Sequence, residues 1–315
     1  MQSDNGDAGS TRAPTQEIPE LASTSTPQPL AGRLGLTVPH EWWPSAPLLK
    51  SFEAAGFALA QVDAPPPSVL ADARPMSRHA KAQREALEAI GIGTVVHGPG
   101  SLLAGTPAAD RVFEGLLAYA SEIGAEYVVY HGHALADEPE SQDRLLAETR
   151  SLARLAVRAE RLGVTIAVEN LAPVYPGPEL LSHTPMTLRG LVHRVSSPNL
   201  GICLDLGHAH IAADLKHTTL EHFVRGVLDS VVLFHAHDNL GARRGGEAPA
   251  GLDPLRLDLH LPPGRGTLPW ARLAPRIADH WAPIVLEIHP PNRPAAEELY
   301  RSSVSELAGE LAVAA

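Results

Sequence analysis

Val231-Val232-Leu233-Phe234-His235-Ala236-His237-Asp238-Asn239 is an apolar, partly β-branched run that ends abruptly in polar residues. It reads as a buried strand whose C-terminal end carries chemistry-bearing side chains. The connection that follows closes on Asp258-Leu259-His260-Leu261-Pro262-Pro263-Gly264-Arg265-Gly266. One histidine at a strand end is commonplace. Three ligand-type residues within four positions, with an Asp-x-His further along, are not.

The same habit recurs outward from this stretch in both directions. Gly35–Val38, Phe57–Val62, Thr94–His97, Tyr127–His131, Val164–Glu169, Leu200–Leu206 and Pro283–Glu287 are short apolar runs that read as strands. Between them lie helical patterns over Pro44–Ala55, Met76–Ile90, Pro107–Ile123, Ser141–Leu162, Met186–Val195, Leu220–Val227 and Leu268–Asp279, with a last one over Ala295–Leu311. Gly56, Gly91, Gly124 and Gly163 stand where helix-terminating glycines are expected. Eight β-then-α units predict parallel strands joined by helical crossovers, and the simplest closure is a single (β/α)8 TIM barrel of the α/β class. An open doubly wound sheet is the runner-up, but no G-x-G-x-x-G follows the first strand.

Bulk properties narrow the function. The 315 residues suit one barrel, expected over residues 33–315. Residues 1–32, rich in Ser, Thr, Pro and Gln, predict a disordered tail. A formal net charge of −11 argues against an electrostatic grip on DNA or on an anionic membrane, and 4% aromatics argues against a base-stacking platform. A single cysteine, Cys203, excludes an internal disulfide and a Cys-rich metal site, and core packing is its expected role. With no signal-peptide pattern and no apolar run of about twenty residues, the expected location is the cytoplasm.

In a (β/α) barrel, sites are built at the C-terminal ends of the strands. Here those ends hold His97, His131, Glu169-Asn170, Asp205 with His208, His235, and Glu287, while Asp258 and His260 come from the last long loop. So many acids and imidazoles cannot be buried together without cations, so a divalent-metal site is expected. Histidine with carboxylate suits Zn2+, Mn2+ or Fe2+. His133, His237 and His289 lie two residues beyond His131, His235 and Glu287, and period-2 pleating could put them on the same side, supporting the ligands or facing substrate, with simple solvation the other reading. Asn170, Asp238 and Arg265 are further candidates for that role, as is the loop pair Arg243-Arg244.

On Val168-Glu169-Asn170, Cys203-Leu204-Asp205-Leu206-Gly207-His208-Ala209, His235-Ala236-His237-Asp238-Asn239, Gly264-Arg265-Gly266 and Leu286-Glu287, the chain resembles the xylose isomerase-like TIM-barrel superfamily. That superfamily includes sugar phosphate isomerases/epimerases and the endonuclease IV group, AP endonuclease family 2. The resemblance spans roughly residues 33 to 312. By resemblance, a one-metal isomerase or epimerase would hold Mn2+, Mg2+ or Co2+ with Glu169, Asp205, His235 and Glu287, the two glutamates also moving a proton. An endonuclease IV-like enzyme would add His97, His131, His208, Asp258 and His260 and hold up to three Zn2+. All five added positions are filled, and phosphoester hydrolysis has a use for several ions. The preferred expectation is therefore hydrolysis of a small phosphoester or phosphodiester, with Glu169, Glu287 and Asp205 catalytic. The alternative is isomerisation or epimerisation of a sugar or sugar phosphate, and a third reading is a metal-free binding scaffold. The expected partner is a small molecule, phosphorylated or a sugar, with a homo-oligomer open. DNA is disfavoured: the loop from Gly98 to Gly105 has no aromatic or basic residue.

Overall fold

The computed structural model describes residues 30–308 except 41, 89, 137, 175–176 and 243–256. Residues 1–29 of the expected tail, and Arg243-Arg244, lie outside the described residues. Leu30–Arg33 form a 3-10 turn into the first strand, so the expected tail boundary falls inside that turn.

Eight parallel strands close on themselves in sequence order. They are β1 Leu34–Thr37, β2 Leu59–Asp63, β3 Gly93–His97, β4 Tyr127–Tyr130, β5 Thr165–Glu169, β6 Leu200–Asp205, β7 Val231–Ala236 and β8 Ile284–Leu286. Pairing of Leu34, Gly35 and Leu36 with Ile284, Val285 and Leu286 joins the first strand to the last, which excludes the doubly wound sheet. The helices are α1 Ala46–Ala55, α2 Pro67–Leu70, α3 Ala73–Leu87, α4 Pro107–Glu122, α5 Gln142–Leu162, α6 Pro185–Val195, α7 Leu206–Leu215, α8 Leu220–Val227, α9 Trp270–Asp279 and α10 Ala296–Ala308.

Local signals explain most boundaries. Thr106 caps α4 by accepting the Ala109 N–H, and Asp72 caps α3 by accepting the Arg74 N–H. Gly56 and Gly163 end α1 and α5 with φ of 105° and 68°, which side chains with a Cβ rarely adopt. Two helices depart from expectation. The short α2 was not expected. Helix α7 begins directly at the tip of β6, where the sequence reads as strand through Leu206. Asp205 is both the last strand residue and the N-cap, its Oδ1 accepting the His208 N–H at 2.7 Å. A Gly-His pair there hides the helix start.

The barrel interior explains where the site sits. Val95, Val129, Ala167, Cys203, Leu233 and Val285, one from each of β3 to β8, form a separate buried apolar cluster. Inward-facing positions recur every second residue. Two residues on from each of these stand His97, His131, Glu169, Asp205, His235 and Glu287. The ligand-type layer therefore rests on an apolar floor, and Cys203 belongs to that floor. The larger core lies between the strands and the helices, and includes Leu36, Val62, Val96, Phe113, Leu152, Ile166 and Leu204.

The seam between β8 and β1 has its own fastener. Arg33, 2% exposed, donates to the carbonyls of Ile277 (3.1 Å), Ala278 (3.0 Å), Ala282 (2.9 Å) and His280 around the C-terminal end of α9. Most of these are carbonyls of the helix end, which a cation satisfies and favours, and Ala282 extends the set into the turn before β8. Arg33→Met leaves several of them buried without a donor and is expected to destabilise the chain by roughly 2–4 kcal/mol. Urea unfolding checks this, and a loss below about 0.5 kcal/mol, the level of a neutral surface change, would remove the seam from the account.

Candidate metal centre

All nine expected ligand residues converge at the C-terminal mouth, in three groups whose ligand atoms lie within 4.8 Å of one another. Glu169, Asp205, His235 and Glu287 form the first, His97, His131 and Glu169 the second, and His208, His237, Asp258 and His260 the third. Glu169 belongs to two groups. Its Oε2 lies 3.4 Å from His97 Nε2 and 3.2 Å from His131 Nε2, while its Oε1 lies 3.3 Å from His235 Nδ1.

Backbone carbonyls set the histidine tautomers. A carbonyl only accepts, so a ring nitrogen beside one must carry the proton. His97 Nδ1 is 2.9 Å from the Gly98 carbonyl, His208 Nδ1 2.8 Å from that of Asn170, and His260 Nδ1 2.7 Å from that of Glu287. Each neutral ring therefore turns its Nε2 lone pair towards a carboxylate. The facing distances are 3.4 Å to Glu169 for His97, and 3.4 and 2.9 Å to Asp258 for His208 and His260. Lone pairs facing carboxylates repel unless a cation lies between them, either a metal ion or a second proton on the ring. His97 and His131 make the same point, with Nε2 atoms 3.3 Å apart. Glu169 Oε2 and Asp205 Oδ2 are buried with no hydrogen-bond donor among the described residues. The donor set and these orphaned oxygens fit divalent ions.

Without metal, protons take the cation's place. Burial pushes His97 down, but Glu169, Glu287 and Asp63 outweigh it and raise the ring to about 9. Burial likewise opposes charging of His260, and Asp258 and Glu287 raise it to about 9. Burial pushes Glu169 up, yet His235, His131 and His97 hold it well below the usual carboxylate range. Asp258 is also held low, by His208 and His260 against the effect of burial.

The expected supporting residues divide by what they touch. Asn170 clamps the tips of β5 and β6, its Nδ2 donating to the Asp205 carbonyl (3.0 Å) and its Oδ1 accepting the Asp205 N–H (2.9 Å). Asp238 fastens the last loop. It accepts N–H groups of Asn239, Leu268 and Gly264 and the indole N–H of Trp270, so its oxygens are committed to holding the segment that carries Asp258 and His260. His237 is fully buried with Nε2 3.1 Å from Asp205 Oδ1, and its ring stacks on His260 at 3.9 Å. Gly207 makes room for it, since a Cβ there would lie 2.1 Å from the ring.

His133 takes no place in the three groups. It turns to Glu148 on α5, its Nδ1 3.0 Å from Oε2 and its N–H 2.9 Å from Oε1. Period-2 pleating does not carry to it because β4 ends at Tyr130 and His133 has φ 53°. Arg265 is exposed on the loop, and among the described residues no hydrogen bond or ion pair ties it to the groups.

Reading for ligand-type residues alone misses Gln61 on β2. It is 1% exposed, donates from Nε2 to Glu287 Oε1 at 2.5 Å and accepts at Oε1 from His235 Nε2 at 2.8 Å. Its inward register on β2 was the available signal. Glu148, which holds the loop after β4, was also missed.

A closed eight-stranded parallel barrel with a polar site at its C-terminal mouth defines a TIM barrel of the kind that hosts enzymes. The profile of the AP_endonuc_2 family, described as xylose isomerase-like TIM barrel, matches residues 49–307, and the chain belongs to that family. Solved structures of the same fold include a D-tagatose 3-epimerase-like protein, 20% identical with TM-score 0.65 over 87% of this chain and 96% of that one. A D-allulose 3-epimerase from Methylomonas sp. is 14% identical, with TM-score 0.66 over 91% and 100%. The 3-keto-D-glucoside 4-epimerase YcjR from E. coli is 16% identical, with TM-score 0.62 over 87% and 98%. Uncharacterized protein MJ1311 of Methanocaldococcus jannaschii is 31% identical over 127 residues, 39% of this chain. The chain matches 41% of that relative's length. No helix among the described residues is long and apolar enough to cross a membrane.

Proposed function

We propose that this chain is a divalent-metal-dependent isomerase or epimerase acting on a sugar or a sugar-derived small molecule. This is the alternative among the expectations, and it displaces phosphoester hydrolysis as the main reading. The observation that carries it is the approach of Glu169 and Glu287, from β5 and β8, to within 3.3 and 3.4 Å of one atom, His235 Nδ1. Strands β5 and β8 stand far apart around the barrel, so the two carboxylates reach the centre from different sides. Moving a proton from one face of a carbon to the other, or between neighbouring carbons, needs such a pair. The naming of several structural neighbours as sugar 3- or 4-epimerases supports the same reading.

Glu169, Asp205, His235 and Glu287 would hold the ion that serves this chemistry. When bound, a divalent ion polarises a substrate carbonyl and acidifies the neighbouring C–H. Glu169, kept ionised by the imidazoles around it, takes the proton from that carbon. Glu287 returns one from the other side. Asp205, buried and clamped by Asn170, keeps the site's shape through the exchange.

One observation favours the second reading, phosphoester hydrolysis. His208, His237, Asp258 and His260 form a further ligand group that a single-ion proton transfer does not require. Asp258→Ala separates the two. Incubation of metal-loaded protein with ketohexoses and their phosphates in D2O is expected to place deuterium at the carbon beside the carbonyl. Asp258→Ala is expected to keep that exchange within about tenfold, consistent with a general acid–base contribution residing elsewhere. Failure of exchange on every sugar tested, with phosphodiester cleavage that Asp258→Ala abolishes, would reverse the order of the two readings. Absence of bound metal and of both activities would support a binding scaffold.

A further inference from the structure

We propose that Gln61 is a positioning residue of this centre, which selects the nitrogen through which His235 meets the metal and fixes the carboxylate of Glu287. The inference rests on the proposed metal site and assigns a role to a strand that contributes no ligand to it.

The orientation of the Gln61 amide follows from its neighbours. Glu287 Oε1 only accepts when ionised, so the amide nitrogen must face it, at 2.5 Å. The same nitrogen lies 3.3 Å from Thr37 Oγ1 on β1, which also accepts. The amide oxygen is thereby turned to His235 Nε2, at 2.8 Å. An amide oxygen accepts, so Nε2 carries the hydrogen. The neutral His235 ring is left with its lone pair on Nδ1, the atom that faces Glu169 (3.3 Å), Glu287 (3.4 Å) and Asp205 (3.9 Å). The other tautomer would place an oxygen and a nitrogen lone pair against each other in a fully buried pocket.

Three of the other histidines take this instruction from a backbone carbonyl, through Nδ1. His235 takes it from a side chain on β2, through Nε2, and so presents the opposite nitrogen. The reason lies in the barrel. His235 stands in the inward layer on β7, where among the described residues the partner of its Nε2 is Gln61 on β2, itself paired with Thr37 on β1. Partners that orient a ligating imidazole typically control metal affinity by 10–100-fold.

The test uses the full chain, stripped and reloaded with Zn2+ or Mn2+. Gln61→Met keeps the size and removes both hydrogen bonds, whereas Gln61→Glu keeps an acceptor for His235 Nε2–H but has no N–H for Glu287. Affinity by chelator competition is expected to fall 10–100-fold in Gln61→Met. Long-range 1H–15N correlation of 15N-histidine in the zinc-loaded protein is expected to show His235 coordinated through Nδ1 in wild type. Gln61→Glu should keep that coordination, and Gln61→Met should lose its uniqueness. The melting temperature of the stripped protein reports the purely structural effect, a fall expected in Gln61→Met because His235 Nε2–H is left buried without its acceptor, and the loss of metal affinity is read beside it. If Gln61→Met does not fold, the nitrogen bound in wild type and in Gln61→Glu still decides the tautomer. Wild-type affinity in Gln61→Met, or coordination of wild-type His235 through Nε2, would overturn the proposal. A wild-type chain that takes up no divalent ion would instead overturn the metal reading beneath it.

Discussion

Glu169→Gln is expected to lower kcat/KM by at least roughly 10^3-fold, within the range for removing a general base in the transition state. The residue sits where two ligand groups meet, each of its oxygens facing imidazole nitrogens at 3.2 to 3.4 Å. An amide keeps the volume, so the floor of apolar side chains beneath it is undisturbed. It removes the charge that two groups share and puts N–H donors where lone-pair donors to metal converge. Metal content should therefore fall in both groups that include Glu169, while His208, His237, Asp258 and His260 keep theirs. Kinetics together with elemental analysis checks this. Activity within tenfold of wild type would take Glu169 out of the centre of the mechanism, under the epimerase and the hydrolase reading alike.

Removing bound metal is expected to have the largest effect on stability, and one that depends on pH. An ion held at about a thousandfold above its dissociation constant stabilises the folded state by about 4 kcal/mol. For a chain of this size that is a shift of roughly 10 °C in Tm. The stripped chain relies on protons instead. His97 and His260 have folded values of about 9 against 6.5 for the free side chain. A raised value contributes stability that is complete below pH 6.5 and lost as pH climbs to 9. Glu169 and Asp258 are depressed, so their contribution is present above the ordinary carboxylate range and lost in acid. The stripped chain should thus be most stable between about pH 5 and 6.5. Metal competes with the same protons, so the gain in Tm on adding Zn2+ should widen from pH 6 to pH 9. Calorimetry at three pH values with and without zinc measures it. A gain that is flat or shrinks over that range would mean that these imidazoles are not where the ion binds.

What the amino-acid sequence determined by itself is the barrel and the inventory of ligand-type residues at its strand ends. Strand and helix periods are local properties, as are helix-ending glycines such as Gly56 and Gly163, and ligand-type residues closing six successive strands are visible without any contact being known. Its reach ended where a residue's meaning depends on what faces it. Gln61 is uncharged and common, and only closure of β1 onto β8 brings its amide between Glu287 and His235. Asp205 reads as a strand end because its second role, capping α7, depends on where His208 sits. His133 reads like His237 by spacing, yet the chain turns at the end of β4 and sends it to Glu148. Asp238 reads as a candidate for substrate, but the loop folded over it takes every acceptor it has. The proposed chemistry likewise rests on what three dimensions bring together. Nine ligand-type residues read along the chain raise the expectation of a hydrolase, and the proposal of an epimerase draws on Glu169 and Glu287 reaching His235 from different strands. Identity and period are written along the chain, and convergence, tautomer and burial come only from the closed sheet.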